Sequence, residues 1–106
     1  MSKVVLKDMA KLIKEPFSPL DIFKIDGTAV QLVKIKGIFH WHKHQDMDEL
    51  FIVLKGKMAI NFKNRKVELN AGEGYKVKSG IIHQSEAPKE ALVLMVKPHE
   101  TKAAGD

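Results

Sequence analysis

Turn signals cut this sequence into pieces too short for long helices. Asp26-Gly27, Gly37, Gln45-Asp46-Met47-Asp48, Gly56-Lys57, Asn64-Arg65, Asn70-Ala71-Gly72-Glu73-Gly74, Ser79-Gly80 and Pro88-Lys89-Glu90 follow one another at roughly the eight- to twelve-residue spacing of an all-β chain. The runs between them alternate apolar and polar residues or are apolar throughout. They predict strands over Leu20–Ile25, Thr28–Ile35, Ile38–His44, Glu49–Lys55, Met58–Lys63, Lys66–Leu69, Tyr75–Lys78, Ile81–Ala87 and Ala91–Lys97. Asp26-Gly27 is the strongest hairpin signal, because both residues tolerate positive φ. With a short β-like run at Val4–Leu6, about nine or ten strands are expected, and so many short strands imply a sandwich or a small barrel.

The first residues break this pattern. Asp8 can cap one or two helical turns over Met9–Lys14, with Met9, Leu12 and Ile13 on one face. Pro16 and Pro19 stop any helix there. Residues 1–19 therefore read as an N-terminal segment packing on the barrel, 20–97 as the barrel and 98–106 as a mobile tail. A length of 106 residues suits this single domain.

Composition narrows the chemistry. Apolar and charged fractions of 44% and 29% are those of a soluble globular chain. No window approaches the roughly 18 apolar residues of a membrane helix, and the start lacks the apolar core of a signal peptide, so the cytoplasm is the expected location. The net charge is +5 and the pI about 9.5. The lysines are dispersed and Arg65 is the single arginine, unlike the clustered, aromatic-interleaved charge of a nucleic-acid module. There is no cysteine, so any metal must be held by nitrogen and oxygen.

Residues Gly37 to Gly56 concentrate such donors. On a strand His42 and His44 share a face, with Cβ atoms roughly 6–7 Å apart, and their nitrogens can converge on one ion at roughly 2.0–2.2 Å. Glu49 opens the next strand, and a hairpin of suitable register brings it beside the pair. Phe51 and Val53 then follow Glu49 inward, while Leu50, Ile52 and Leu54 face out. Both faces are apolar, so the strand needs a second cover: a helix and loops, or a partner subunit. The plausible fourth protein ligand is His83, mid-strand between apolar neighbours; His99 is expected to be exposed.

Other residues leave alternatives open. In a regular strand His40 points inward as a neighbour of the ligands or a proton shuttle; otherwise it is an exposed edge residue. Tyr75 either presents its hydroxyl to the cavity or is half-buried core, and His40 and Tyr75 are the two candidate catalytic groups. Gln31 and Ser85 are further polar candidates for the cavity. Trp41 should pack on the face opposite the ligands. Asp46 and Asp48 are solvated turn residues or partners of a ligand imidazole.

The spacing His42-x-His44, four residues, Glu49, six residues, Gly56 resembles the first motif of the cupins, and Gly72, seven residues, Gly80, two residues, His83 resembles the second. The wording WHKHQDMDELFIVLKG is similar to small single-domain members of that family, over roughly residues 20–97. The resemblance implies a double-stranded β-helix, a jelly-roll barrel. It also implies one divalent metal held by His42, His44, Glu49 and His83. Three departures stand out: the Gly37–His42 gap is one residue short, Lys78 replaces a proline, and Ala87 replaces an asparagine. None removes a ligand.

Imidazole and carboxylate suit Fe, Mn, Ni, Co, Cu or Zn. Three histidines and a glutamate leave a coordination position open for a small molecule. The resulting expectation is a mononuclear metal-binding cupin acting on or binding a small molecule, dioxygenase- or isomerase-like if an enzyme. The alternative is a non-catalytic small-molecule- or metal-binding module. The second apolar face of Leu50, Ile52, Leu54 and Trp41 suggests a homodimer.

Overall fold

The computed structural model describes residues 3–99. After a short helix α1 (Leu6–Ala10), seven strands follow in chain order: β1 (Leu20–Ile25), β2 (Thr28–Ile38), β3 (Glu49–Lys55), β4 (Lys57–Asn61), β5 (Lys66–Asn70), β6 (Gly74–Val77) and β7 (Gln84–Pro98). All pairings are antiparallel, in the order β1-β2-β7-β3-β6, with β4 bridging β5 and β7. Strand β7 is the hub. Its first residues pair with β4, its last with β3, and β2 lies against nearly its whole length.

Seven strands, rather than nine or ten, result from three local effects. Val4–Leu6 forms no strand; Leu6 already belongs to the helix. That helix starts at Val5 with no side-chain cap, and Asp8 sits inside its first turn rather than ahead of it, where a carboxylate still favours the helix dipole. Residues 39–44 form no strand beyond one bridge, between His42 and His83. Pro88 does not end its strand. Residues 88–90 have no register partner, because the β2–β7 pairing shifts between Ile35–Ala91 and Gly37–Ala87. A proline at such a bulge sacrifices no ladder hydrogen bond.

Alternation along the strands builds two apolar layers. Val33, Ile35, Phe51, Val53, Ile60, Val93 and Met95 point into the barrel. On the outer face Leu32, Leu54, Leu92 and Leu94 meet Ile13, Ile22 and the N-terminal Val4, Leu6, Met9 and Ala10. A fully buried aliphatic side chain contributes roughly 1.5–3 kcal/mol; in the N-terminal segment only Ile13 is buried and its neighbours are half-buried, so Ile13 is its main apolar anchor. Two hydrogen bonds fix its course: Phe17 N–H donates to the Lys34 carbonyl at 2.8 Å, and Lys34 Nζ donates to the Ile13 carbonyl at 3.1 Å. The doubly apolar β3 is thereby explained in part. Leu54 joins the cluster with the chain's own N-terminal segment, and Leu50, Ile52 and Leu54 are all half-buried.

Candidate metal centre

The histidine-rich segment does not form a hairpin with β3, as the alternate spacing suggested. It pairs instead with the segment carrying His83. His42 and His83 exchange two backbone hydrogen bonds of 2.9 Å, and Gly80 N–H donates to the His44 carbonyl at 2.7 Å. Asp48 reinforces the junction: its carboxylate accepts the Ser79 N–H at 2.9 Å and pairs with Lys76 at 3.2 Å. That backbone hydrogen bond, then Lys76, holds the Asp48 carboxyl below its ordinary value. Asp48 thus ties the two donor-bearing segments together rather than contacting an imidazole.

Side chains converge where these segments meet the start of β3. Donor atoms of His42, His44 and Glu49 lie within 4.8 Å of one another. His83 is not part of that compact triad, yet it reaches the same carboxylate. Glu49 Oε1 is 3.4 Å from His44 Nε2 and 3.6 Å from His83 Nε2. Ring centroids of His42 and His83 are 4.4 Å apart, those of His42 and His44 5.3 Å. Two tautomers follow from the backbone. His42 Nδ1 donates to the His40 carbonyl at 3.0 Å and His83 Nδ1 to the Ile81 carbonyl at 2.9 Å. A carbonyl only accepts, so both Nε2 atoms are left as lone-pair donors to a cation.

Five buried polar atoms here lack a hydrogen-bond partner: both ring nitrogens of His44, Glu49 Oε1, His83 Nε2 and Lys97 Nζ. Unpaired buried polar atoms cost roughly 1–3 kcal/mol each. One cation drawing on His44, Glu49 and His83 removes most of that penalty. The donor set, all imidazole nitrogen and carboxylate oxygen, fits a divalent transition metal.

For two of the donors, His42 and Glu49, the surroundings also favour the ligating protonation state. Burial, above all, pulls His42 down to about 4, with the His83 and His44 rings acting the same way and the His40 carbonyl and Glu49 opposing. For Glu49 burial pushes the carboxyl up, but the His44 and His83 rings and the Lys97 ammonium outweigh it, leaving it well below the usual range. Between His42's folded value of about 4 and its ordinary 6.5, the unfolded chain binds the extra proton, so acid favours unfolding. The metal-free protein should therefore keep a constant urea midpoint above about pH 7 and lose stability steadily from 6.5 towards 4. Glu49 adds a further loss below its ordinary 4.5. Chelator-treated protein with a flat midpoint across this window would contradict these shifts.

Beside the donors lies a narrow cavity of about 30 Å³. Phe17, Val33, Ile35, Phe39, Phe51 and Met95 make it apolar; His42, Glu49 and Ser85 supply its polar side. Phe17, at φ 61°, stacks on Phe39 with ring centroids 4.9 Å apart. Phe39 in turn lies 5.3 Å from the His42 ring. Of the polar candidates named from sequence, Ser85 lines this space. Tyr75 does not: its hydroxyl accepts a hydrogen bond from Arg65 at 2.7 Å. Gln31 donates to Asp21 at 2.8 Å. His40 is exposed, its ring 4.2 Å from Phe39 and edge-on to the His42 ring at 5.4 Å, and its carbonyl accepts the His42 Nδ1 hydrogen bond. Trp41 is 40% exposed, with Lys63 Nζ 4.3 Å from its ring centre. His99 is exposed.

Sequence reasoning overlooked Phe17 and Phe39 as cavity walls, and it overlooked Lys97. Lys97 is 3% exposed, and its Nζ lies 3.6 Å from Glu49 Oε2. Its signal was in the alternation: Ala91, Val93 and Met95 are inward residues of β7, and Lys97 continues their phase.

Known proteins agree with this architecture. A family model described as the cupin domain matches residues 29–97. The uncharacterized protein YdbB of Bacillus subtilis is 32% identical over 99 residues, covering 92% of this chain and 88% of that protein. The crystal structure of a cupin-2 domain containing protein from Shewanella frigidimarina superposes with a TM-score of 0.87 at 34% identity, covering 90% of this chain and 93% of that one. Protein NMB1881 from Neisseria meningitidis superposes with a TM-score of 0.83 at 24% identity over 92% of this chain and 99% of its own. Strand order, inward donors and family match lead to one conclusion: the chain belongs to the cupin family, and its barrel is the double-stranded β-helix of that fold.

Proposed function

We propose that this cupin holds one divalent transition metal through His42, His44, Glu49 and His83 and binds a small molecule in the cavity beside it. The observation that carries this reading is the cluster of unpartnered buried donors on His44, Glu49 and His83, adjoining an apolar cavity with few polar groups. A metal bound there would supply Lewis acidity and an open coordination position. The chain's own residues do the rest. Phe17, Phe39 and Phe51 wall the donors with apolar surface, Ser85 offers one hydroxyl, and the backbone carbonyls of His40 and Ile81 keep two imidazoles in the ligating tautomer.

Among the described residues no acid or base other than the donors themselves lines the cavity. That favours chemistry at the metal, of oxygenase or isomerase type, if the protein is an enzyme. It equally supports a second reading, a non-catalytic cupin that captures a small molecule. The half-buried Leu50 and Ile52 on the outer face support a homodimer, and no helix among the described residues is long and apolar enough to cross a membrane. We take the cytoplasm as its place of action. Native mass spectrometry of the protein as isolated tests metal and pairing together. The expected mass is that of two chains with one transition metal each. A metal-free mass after growth with Fe, Mn, Ni, Co, Cu and Zn would remove the metal reading, and a single-chain mass the pairing. Turnover of small acids or enols would then separate enzyme from binding module.

A further inference from the structure

The least expected group near the donors is a lysine. Lys97 ends the inward row of β7, and its side chain is 2% exposed. Its Nζ has no hydrogen-bond partner. A buried ammonium is costly unless something of opposite charge answers it, and Glu49 Oε2 is 3.6 Å away. The β3–β7 register explains the meeting. It sets Leu50 opposite Val96 and Phe51 opposite Met95, and one step further brings Glu49 alongside Lys97. The two oxygens of Glu49 therefore have different neighbours: Oε2 faces Lys97, while Oε1 faces His44 and His83.

We propose that Lys97 is a positioning residue. It anchors Glu49 Oε2 so that Oε1 alone is presented to the imidazoles, fixing a one-oxygen carboxylate ligand before any metal arrives. This rests on the metal-site reading above. The role also shapes what the site accepts. A dication with one carboxylate leaves one positive charge; the buried ammonium raises it to two. Lys97 acts from behind Glu49 rather than from the wall of the cavity, and the added charge favours a small anion, such as a carboxylate or an enolate, over a neutral or cationic ligand. An ammonium repels a dication, so its electrostatic effect alone weakens metal binding. If charge were all, its removal would tighten the metal; if Lys97 positions Glu49, its removal loosens it. The direction decides.

Two measurements test this. The first uses metal-free protein and thermal unfolding in a cycle of K97M, E49Q and K97M/E49Q. Breaking a buried pair from one side leaves an unanswered charge, so K97M should lower the midpoint by roughly 10–20 °C. In the E49Q background the same change should cost nothing or stabilise. Collapse of K97M alone, with a folded double variant, is the same result in stronger form. Equal losses in both backgrounds, or no loss in either, overturn the pairing. The second measurement is Co(II) binding by chelator competition and visible absorption. K97M should bind Co(II) roughly 10–100-fold more weakly, as loss of a ligand's supporting contact does, with an altered absorption band. K97R, which keeps the charge, should restore both. Unchanged or tighter binding in K97M overturns the positioning role. A wild-type protein that takes up no Co(II) overturns the metal site itself, whereas the metal-free cycle reports on the ion pair in either case.

Discussion

Replacing His83 with alanine should empty the proposed metal centre. His83 is fully buried, its ring packed against His42 at 4.4 Å between centroids and its Nε2 3.6 Å from Glu49 Oε1. The backbone bridge to His42 survives the substitution, since it uses main-chain atoms alone. What is lost is one proposed ligand and one of the polar neighbours that Glu49 Oε1 has. Affinity should fall at least about a hundredfold, or roughly 3 kcal/mol, and protein isolated under chelating wash should carry little metal. The truncation also leaves a cavity in the core and a stability loss of roughly 2–4 kcal/mol in the metal-free protein. His99→Ala is the control. That residue is exposed, and its structural contact is a backbone hydrogen bond from its N–H to the Gly27 carbonyl at 2.8 Å, so its occupancy should equal that of wild type. Elemental analysis of the two variants side by side decides the matter. Equal metal content would remove His83 from the site.

This prediction rests on residues legible in the sequence, and the reasons for that legibility are physical. Glu49 and the apolar positions of β3 could be assigned because a strand alternates strictly, and here it does: Glu49, Phe51 and Val53 are buried while Leu50, Ile52 and Leu54 are half-buried. From Phe39 to His44 the same rule held only for His42 and His44, which converge as read. Those residues form no regular strand, so periodicity said nothing reliable about His40, whose ring ended up exposed. Pro88 misled for a related reason. Local chemistry marks it as a break, but whether a proline interrupts a strand depends on what lies opposite, and opposite it the β2 register shifts. Lys97 was hidden differently. Its alternation phase was readable, but lysine is so often solvated that the phase invites dismissal; only the cross-strand approach to Glu49 gives the burial a cause. Long-range pairings, not local signals, decide such cases.

Gly56 marks the same dependence on pairing, and Gly56→Ala is expected to be strongly destabilising. Two penalties add. Gly56 sits at φ +80°, in the left-handed region, where an L side chain costs roughly 1–2 kcal/mol. A Cβ there would also stand 3.0 Å from the Glu90 carbonyl oxygen and 3.2 Å from Ala91 Cα. Those atoms are backbone, and Ala91 is fully buried and registered against Ile35, so relief requires moving β7 itself. Crowding of that kind costs roughly 1–3 kcal/mol. Gly72 separates the two terms: its φ is +87°, but a Cβ would meet nothing within 4 Å. Gly72→Ala should lower the thermal midpoint by roughly 5–15 °C, and Gly56→Ala by roughly 10–30 °C. Neither should change metal affinity of the folded protein. Gly56 follows the far end of β3 from Glu49, roughly 20 Å away along a strand of that length. Equal midpoint losses in the two variants would mean that β7 yields to the added methyl, and that the close approach at its bulge is not what requires glycine there.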